Sequence, residues 1–286
     1  MDLEIIYRLQ DFRSAFLDGY FFIITQLGDQ IFFILMAGIL YWTVDKRLAH
    51  RFVFAFMISA IANTALKNIF QRIRPFYYPG VETEASWRTT GYSFPSGHAQ
   101  ASGVLGYTAY HIANRYKKPI FKSIGLFIMI MVPLSRMYLG QHFLTDVIAG
   151  LFLALGLTYV SFKLVDKMGD DEHVYTLMLT PFFIAALMFF PHHDLAVGAG
   201  GFAGFAIGYY LEKKYLGYNV HADLWIQIIK VIIGLVVALL IKEGLKFIFP
   251  DKIFFDFIRY LLIGGWAALG APLTFHHVFK HHQKNI

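Results

Sequence analysis

The sequence predicts an all-α membrane protein, a polytopic helix bundle of about eight or nine spans preceded by an interfacial amphipathic helix. Three observations carry this expectation. Hydrophobic residues make up 57% of the 286 positions and charged ones only 15%, whereas a soluble domain carries about 25% charged residues. The mean hydropathy is +0.53. Long apolar runs recur along the whole chain, separated by short charged turns. The same composition excludes a disordered chain and a collagen, and the lack of cysteine excludes a disulfide-stapled scaffold. A single domain, residues 1–286, is the organisation expected.

The N-terminal stretch, residues 1–27, differs from the rest. Ile5, Ile6, Leu9, Phe12, Phe16, Leu17, Tyr20, Phe21 and Ile24 recur at three-to-four spacing, with Glu4, Arg8, Asp11 and Arg13 between them. That pattern gives a helix one apolar face and suits it to lie along the interface. It lacks the basic start and small-residue cleavage site of a signal peptide. Spans follow near residues 30–44, 49–70, 96–116, 119–139, 143–164, 175–190, 195–210, 224–241 and 254–275. Residues 30–166 form a motif-bearing core, and 167–286 add further spans. Tyr41, Trp42, Tyr209, Tyr210, Trp225 and Phe254 stand at span ends, where amphipathic rings favour the membrane–water boundary.

Counting spans places Lys46, Arg47, Arg51, Arg115, Lys117, Lys118, Lys122, Lys163, Lys167, Lys213, Lys214, Lys280 and Lys284 on one side. That richer side is the cytoplasmic one. The other side is basic mainly in the Lys67–Arg88 stretch and around Arg136. The net charge of +6 therefore fits membrane orientation and an anionic substrate, and no nucleic-acid partner is expected. The long polar stretch 71–94 carries Pro75, Pro79, Gly80 and Gly91 and reads as a loop.

Three segments concentrate the chemistry, and the span count puts all three on the same, non-cytoplasmic face. They are Lys67-x6-Arg74-Pro75, Pro95-Ser96-Gly97-His98, and Ser135-Arg136-x5-His142-x3-Asp146. Lys67, Arg74 and Arg136 suit a multiply charged oxyanion, and arginine adds a fork that grips two oxygens. Ser96 and Gly97 open a helix, whose free N–H groups bind phosphate. His142 and Asp146, four apart on a helix, share one face. The carboxylate can orient the imidazole and leave its other nitrogen as a nucleophile. His98 can protonate a leaving oxygen. No carboxylate cluster is available to hold two metal ions, so neither metal nor cofactor is expected.

These three segments, in full and in order, resemble the signature motifs of the type 2 phosphatidic acid phosphatase family of membrane lipid phosphatases. The resemblance covers about residues 30–166. The C-terminal part is similar to longer members, particularly the sphingosine-1-phosphate phosphatase branch. The resemblance implies that His142 forms a phosphohistidine, that Asp146 orients it, and that His98 serves as acid and then as base. It implies that Lys67, Arg74, Ser96, Gly97 and Arg136 hold the phosphoryl oxygens, with no metal. Vanadium haloperoxidases share the motif set but are soluble. The partners expected are the lipid bilayer and a phosphorylated lipid, with the site on the extracytoplasmic or lumenal face. A sugar-phosphate phosphatase or a lipid phosphotransferase would use the same residues. A transporter or flippase would also carry charges facing a cavity.

Other features read as structural. Gly198–Ala203 fits a loose dinucleotide-loop pattern, but no strand precedes it, so Gly200, Gly204 and Gly208 read as a helix-packing face. His276, His277, His281 and His282 read as an exposed tail, and His192 and His193 as a solvated turn. Trp87 and Arg88 can cover the site or anchor the loop.

Overall fold

A computed structural model describes residues 2–83 and 88–279. Trp87, Lys280, His281, His282 and Lys284 lie outside these residues. The fold is helical, with no β-strand among the described residues. Among the described residues, six helices are long and apolar enough to cross a membrane, or seven if one bent N-terminal pair counts as a span. Two of the helices expected to span, α5 (Gly97–Arg115) and α9 (His193–Leu211), stand outside that set, although each has 19 residues. Both are mostly buried inside their own units. A helix ringed by other helices need not be apolar all round, so hydropathy understates it.

The chain divides into two compact units: residues up to Phe33 with Ile58–Val160, and Ile34–Met57 with Ser161 onward. The three sequence segments all belong to the first unit.

The N-terminal amphipathic stretch is two helices rather than one continuous helix. In α1 (Asp2–Gln10), Leu3, Ile6 and Leu9 pack against a core of Ala99, Met137, Phe143 and Val147. After a turn, Ser14 caps α2 (Ala15–Thr25), its Oγ accepting from the Leu17 N–H at 3.3 Å. Polar turn residues break the periodic face there, since Ser at an N-cap competes with helix continuation. Arg13 bonds both oxygens of Asp18, at 3.1 and 3.0 Å, and closes the turn. The chain then enters the segment Gln30–Val44, which begins with α3 (Gln30–Ile39).

The first unit continues with the C-terminal part of α4 (Lys46–Phe70), a long loop, α5, α6 (Ile120–Tyr138) and most of α7 (Leu144–Lys167). Close contacts set this bundle. A Cβ on Gly150 of α7 would lie 2.6 Å from the Ser96 carbonyl oxygen, so glycine lets α7 touch the start of α5. The ends of α4 and α6 and the beginnings of α5 and α7 meet at one end of the unit. The far ends of α5 and α6 carry Arg115, Lys117, Lys118 and Lys122. Phe152 on α7 is 70% exposed, which suits a surface that meets lipid.

The second unit holds the remainder of α7, α8 (Glu172–Phe189), α9, α10 (Leu224–Ile248), α11 (Ile253–Gly265) and α12 (Ala271–Val278). Gly200, Gly204 and Gly208 do form a packing face: a Cβ on Gly204 would fall 1.9 Å from the Leu261 carbonyl oxygen. His192 caps α9, its Nδ1 accepting from the Asp194 N–H at 3.3 Å, and His193 Nδ1 pairs with Asp256 at 2.8 Å. Lys46 meets buried Glu212 at 2.8 Å, and Lys213 meets buried Glu172 at 2.8 Å. His276 and His277 occupy the last turn of α12.

Candidate active site

Helix ends build the site electrostatically before any side chain is considered. Lys67 and Arg136 sit in the last turns of α4 and α6, where the negative end of the helix dipole favours cations. The N-termini of α5 and α7, at Gly97 and Leu144, offer their positive ends at the same place.

The spacing between Arg136 and His142 has a local cause. After α6 the chain turns through Gly140, whose φ is +67°, a conformation open to glycine. The Gly140 N–H bonds the Met137 carbonyl at 3.0 Å and the Gln141 N–H bonds the Arg136 carbonyl at 2.9 Å. This pair of bonds is a Schellman cap. The His142 N–H also reaches the Arg136 carbonyl, at 3.2 Å, so the imidazole is folded back beside the arginine.

His142 is 2% exposed. Its Nε2 lies 3.0 Å from Arg74 Nη1. A guanidinium only donates, so Nε2 accepts and Nδ1 carries the proton. Arg74 is fixed by the carbonyls of Gly91, Thr90 and Gln141 at 2.9, 3.0 and 3.1 Å. Burial, reinforced by the charges of Arg74, Arg136 and Lys67, holds the His142 imidazole well below the ordinary histidine range. It is therefore neutral at pH 7, with a lone pair on Nε2. His98 stands among the same charges, those of Arg136, Lys67 and Arg74, and interacts with His142.

Arg136 is 3% exposed, and its Nη1 donates to Thr25 Oγ1 at 3.0 Å. Its Nε and Nη2 are buried without a hydrogen-bond partner. Such orphaned donors in a cluster of cations are what an anion would satisfy.

Asp146 is not arranged as the four-residue spacing predicts. His142 lies in the turn before α7, not on its face. The carboxylate reaches back instead, accepting from the Phe143 N–H at 2.8 Å in the manner of a capping box. Its separation from His142 Nδ1 is 3.7 Å, beyond hydrogen-bond range. Ser93 Oγ donates to Asp146 Oδ2 at 2.5 Å and lies 3.4 Å from His142 Nδ1. Arg72 Nη1 takes Asp146 Oδ1 at 2.7 Å, and its Nη2 takes Asp2 at 2.8 Å.

Ser96 also departs from expectation. Its N–H bonds the Asp146 carbonyl at 3.0 Å, and its Oγ caps α5 by accepting from Ala99 at 3.3 Å. The first-turn donors left toward an anion are those of Gly97 and His98. Asn63 holds the preceding Pro95 carbonyl at 3.0 Å.

The structure thus gathers Lys67, Arg74, Ser96, Gly97, His98, Arg136, His142 and Asp146 at one end of the first unit. It adds four residues that sequence reasoning missed: Asp2, Thr25, Arg72 and Ser93. The loop that carries several of them is pinned from below by α1. Tyr7 donates to the Pro79 carbonyl at 2.6 Å, and Gln10 exchanges bonds with Glu82 at 2.7 and 2.9 Å. Arg88 lies over the Phe76 ring, 5.5 Å from its centroid. No group of three or more potential metal ligands occurs among the described residues.

A family model described as the PAP2 superfamily matches residues 48–170. A second, described as a transmembrane extension of PAP2 superfamily phosphatases, matches residues 196–283. Sphingosine-1-phosphate phosphatase 2 of Mus musculus is 25% identical over 206 residues, covering 65% of this chain and 57% of that protein. The chain therefore spans little more than half the length of that relative. Phosphatidylglycerophosphatase B of Bacillus subtilis is 32% identical over 165 residues, covering 53% of this chain and 73% of that protein. The crystal structure of Aquifex aeolicus LpxE shares the fold, with a TM-score of 0.51 at 23% identity over 57% of this chain and 94% of that one.

Proposed function

The chain belongs to the PAP2 superfamily, and from that premise we propose that it is a membrane phosphatase hydrolysing the terminal phosphate of a lipid. The observation that carries the proposal is a neutral, buried His142 whose Nε2 faces Arg74 at 3.0 Å, beside Arg136 with two orphaned donors. A nucleophilic lone pair and a cationic cradle are therefore adjacent.

An arriving phosphoryl group takes the Arg74 donor and frees the Nε2 lone pair. Arg136, Arg74, Lys67 and the N–H groups of Gly97 and His98 stabilise the negative charge that spreads over the phosphoryl oxygens. Nε2 of His142 bonds to phosphorus as the phosphorus–oxygen bond to the lipid alcohol breaks. The bound phosphoryl anion offsets the surrounding cations and lets His98 carry a proton, which it gives to the departing oxygen. His98 then takes a proton from water, whose oxygen attacks phosphorus and breaks the phosphorus–nitrogen bond, releasing inorganic phosphate. Cations of the chain itself meet the phosphoryl charge, so the reaction proceeds without metal.

The relatives that act on sphingosine 1-phosphate and on phosphatidylglycerophosphate support a lipid phosphate monoester as substrate. A site at the membrane surface lets the hydrocarbon chain remain in lipid while the headgroup enters. The basic far ends of α5 and α6 favour a cytoplasmic position for that side, which puts the site on the extracytoplasmic or lumenal face. The length of α5 and α9 supports counting both as spans, for eight or nine in all.

Phosphate release from sphingosine 1-phosphate in detergent with EDTA tests this. Purified protein releases phosphate, forms an acid-labile phosphoprotein, and loses both in His142→Ala. Release that persists in that variant, or that requires a divalent metal, overturns the proposal. Equal turnover of a phosphate ester lacking any long hydrocarbon chain overturns the lipid assignment.

A further inference from the structure

We infer that Ser93 is a positioning residue that couples Asp146 to His142 through its hydroxyl; the inference rests on the phosphatase reading of the site.

Direct contact cannot orient the nucleophile, because 3.7 Å separates His142 Nδ1 from Asp146 Oδ2. Since Arg74 requires Nε2 to accept, the imidazole proton stands on Nδ1 and needs an acceptor there. Ser93 faces it: Oγ lies 3.4 Å from Nδ1 and 2.5 Å from Asp146 Oδ2, beside a hydrogen bond between the imidazole and the Ser93 backbone. A hydroxyl can accept from the imidazole while it donates to the carboxylate, so the three groups form one directed chain. The direction keeps the lone pair on Nε2, toward phosphorus.

The surroundings fix this chain. Ser93 is 0% exposed, and its backbone N–H is tied to the Arg72 carbonyl at 2.8 Å. Asp146 is held by Arg72 on Oδ1 and by the Phe143 N–H on Oδ2. Neither partner of the hydroxyl is free to turn away. When His142 becomes phosphorylated its ring gains positive charge, and the Nδ1–H bond to Ser93 strengthens against the carboxylate behind it. The interaction is greater in the transition state than in the ground state, so it accelerates chemistry rather than binding.

The experiment compares Ser93→Ala, Ser93→Cys and His142→Ala in detergent, using sphingosine 1-phosphate as substrate and pre-steady-state trapping of phosphoprotein. Ser93→Ala lowers kcat about tenfold to a hundredfold, the range for losing the outer hydrogen-bond partner of a metal-ligating histidine. KM stays unchanged, and phosphoprotein formation slows by the same factor as kcat. Ser93→Cys, which retains a weak donor of similar size, falls between the two. His142→Ala is inactive. If Ser93→Ala keeps the wild-type kcat while His142→Ala is dead, the relay is overturned and the phosphatase reading stands. If His142→Ala remains active, both are overturned. A parallel loss of thermal stability and rise in KM assigns Ser93 a structural role and overturns the relay. Should Ser93→Ala fail to fold, Ser93→Cys is judged by the same kcat-against-KM criterion.

Discussion

The backbone N–H of His142 hydrogen-bonds the carbonyl of Arg136 at 3.2 Å, so the proposed nucleophile hangs from the main chain of the residue that would hold the phosphoryl group. Their separation is thus set by one turn, and that turn depends on Gly140 with φ at +67°. A Cβ there would also lie 2.9 Å from Val81 Cγ1 and 3.0 Å from the Glu82 carbonyl. Gly140→Ala costs about 1–2 kcal/mol of stability from the left-handed backbone alone. A displacement of about 1 Å at His142 lowers kcat by ~100-fold. Thermal melting in detergent and kcat measured together check both; an unchanged kcat means the turn does not set the nucleophile.

Arg136 is expected to act through its fork as well as its charge. Arg136→Lys keeps the charge but loses the planar donors, and kcat/KM falls by ~100-fold or more. Thr25→Val removes the hydroxyl that steers Nη1. One hydrogen bond of about 0.5–1.5 kcal/mol corresponds to a loss of roughly threefold to tenfold, read as weaker inhibition by orthovanadate, a phosphate mimic. Thr25→Ser restores the wild-type value. Equal inhibition of all three proteins would show that Thr25 does not steer the guanidinium.

Arg72 links the N-terminal helix to Asp146, with its guanidinium 4.0 Å from the Phe143 ring centroid. Arg72→Ala leaves the carboxylate of Asp146, which is 0% exposed, short of a charged partner. The cost is about 1–3 kcal/mol of stability, together with a fall in kcat. Asp2→Ala keeps the Arg72–Asp146 bond and costs less. Hydrogen exchange in residues 88–94 reports the loosening: it rises in Arg72→Ala more than in Asp2→Ala. Protection identical to wild type in both would show that the Asp2–Arg72–Asp146 contacts do not hold residues 88–94.

The meeting of the motif residues at one end of the first unit was legible because their spacing along the chain follows local structure. Arg136-x5-His142 encodes a helix end, a glycine turn and the next helix start within seven positions. The helical fold was legible from the apolar runs, though the amphipathic period of residues 5–24 hid the break at Ser14, a local cap that a periodic face passes over. Asp2, Thr25 and Ser93 could not be found this way. Their contacts join residues 70, 111 and 53 positions apart, and no period or spacing signals such pairs. Ser96 lies at the site, but the spacing says nothing of what its N–H and Oγ bond. Its N–H looked free because a helix start has no intrahelical acceptor, while the tertiary fold supplies the Asp146 carbonyl. The same limit applies to His142 and Asp146. Their four-residue interval read as a helix face, and the α7 N-cap intervenes between them.

Stability should fall on mild acidification, and His142 is the reason. In the folded protein, burial and the charges of Arg74, Arg136 and Lys67 keep the imidazole neutral well below the usual histidine range. In the unfolded chain the same imidazole takes its proton near pH ~6.5. From there down to the folded value the unfolded state binds more protons, so unfolding becomes easier as pH drops. The contribution is fully present above about pH 6.5 and is lost progressively below it. Glutamine at this position has no proton to gain in that range. Melting temperatures of wild type and His142→Gln, followed from about pH 7.5 down to about pH 5, should therefore converge or cross, the wild type losing more. Curves that stay parallel would mean that His142 is not held neutral, and the lone pair on which attack at phosphorus depends would then be unavailable at the lower pH.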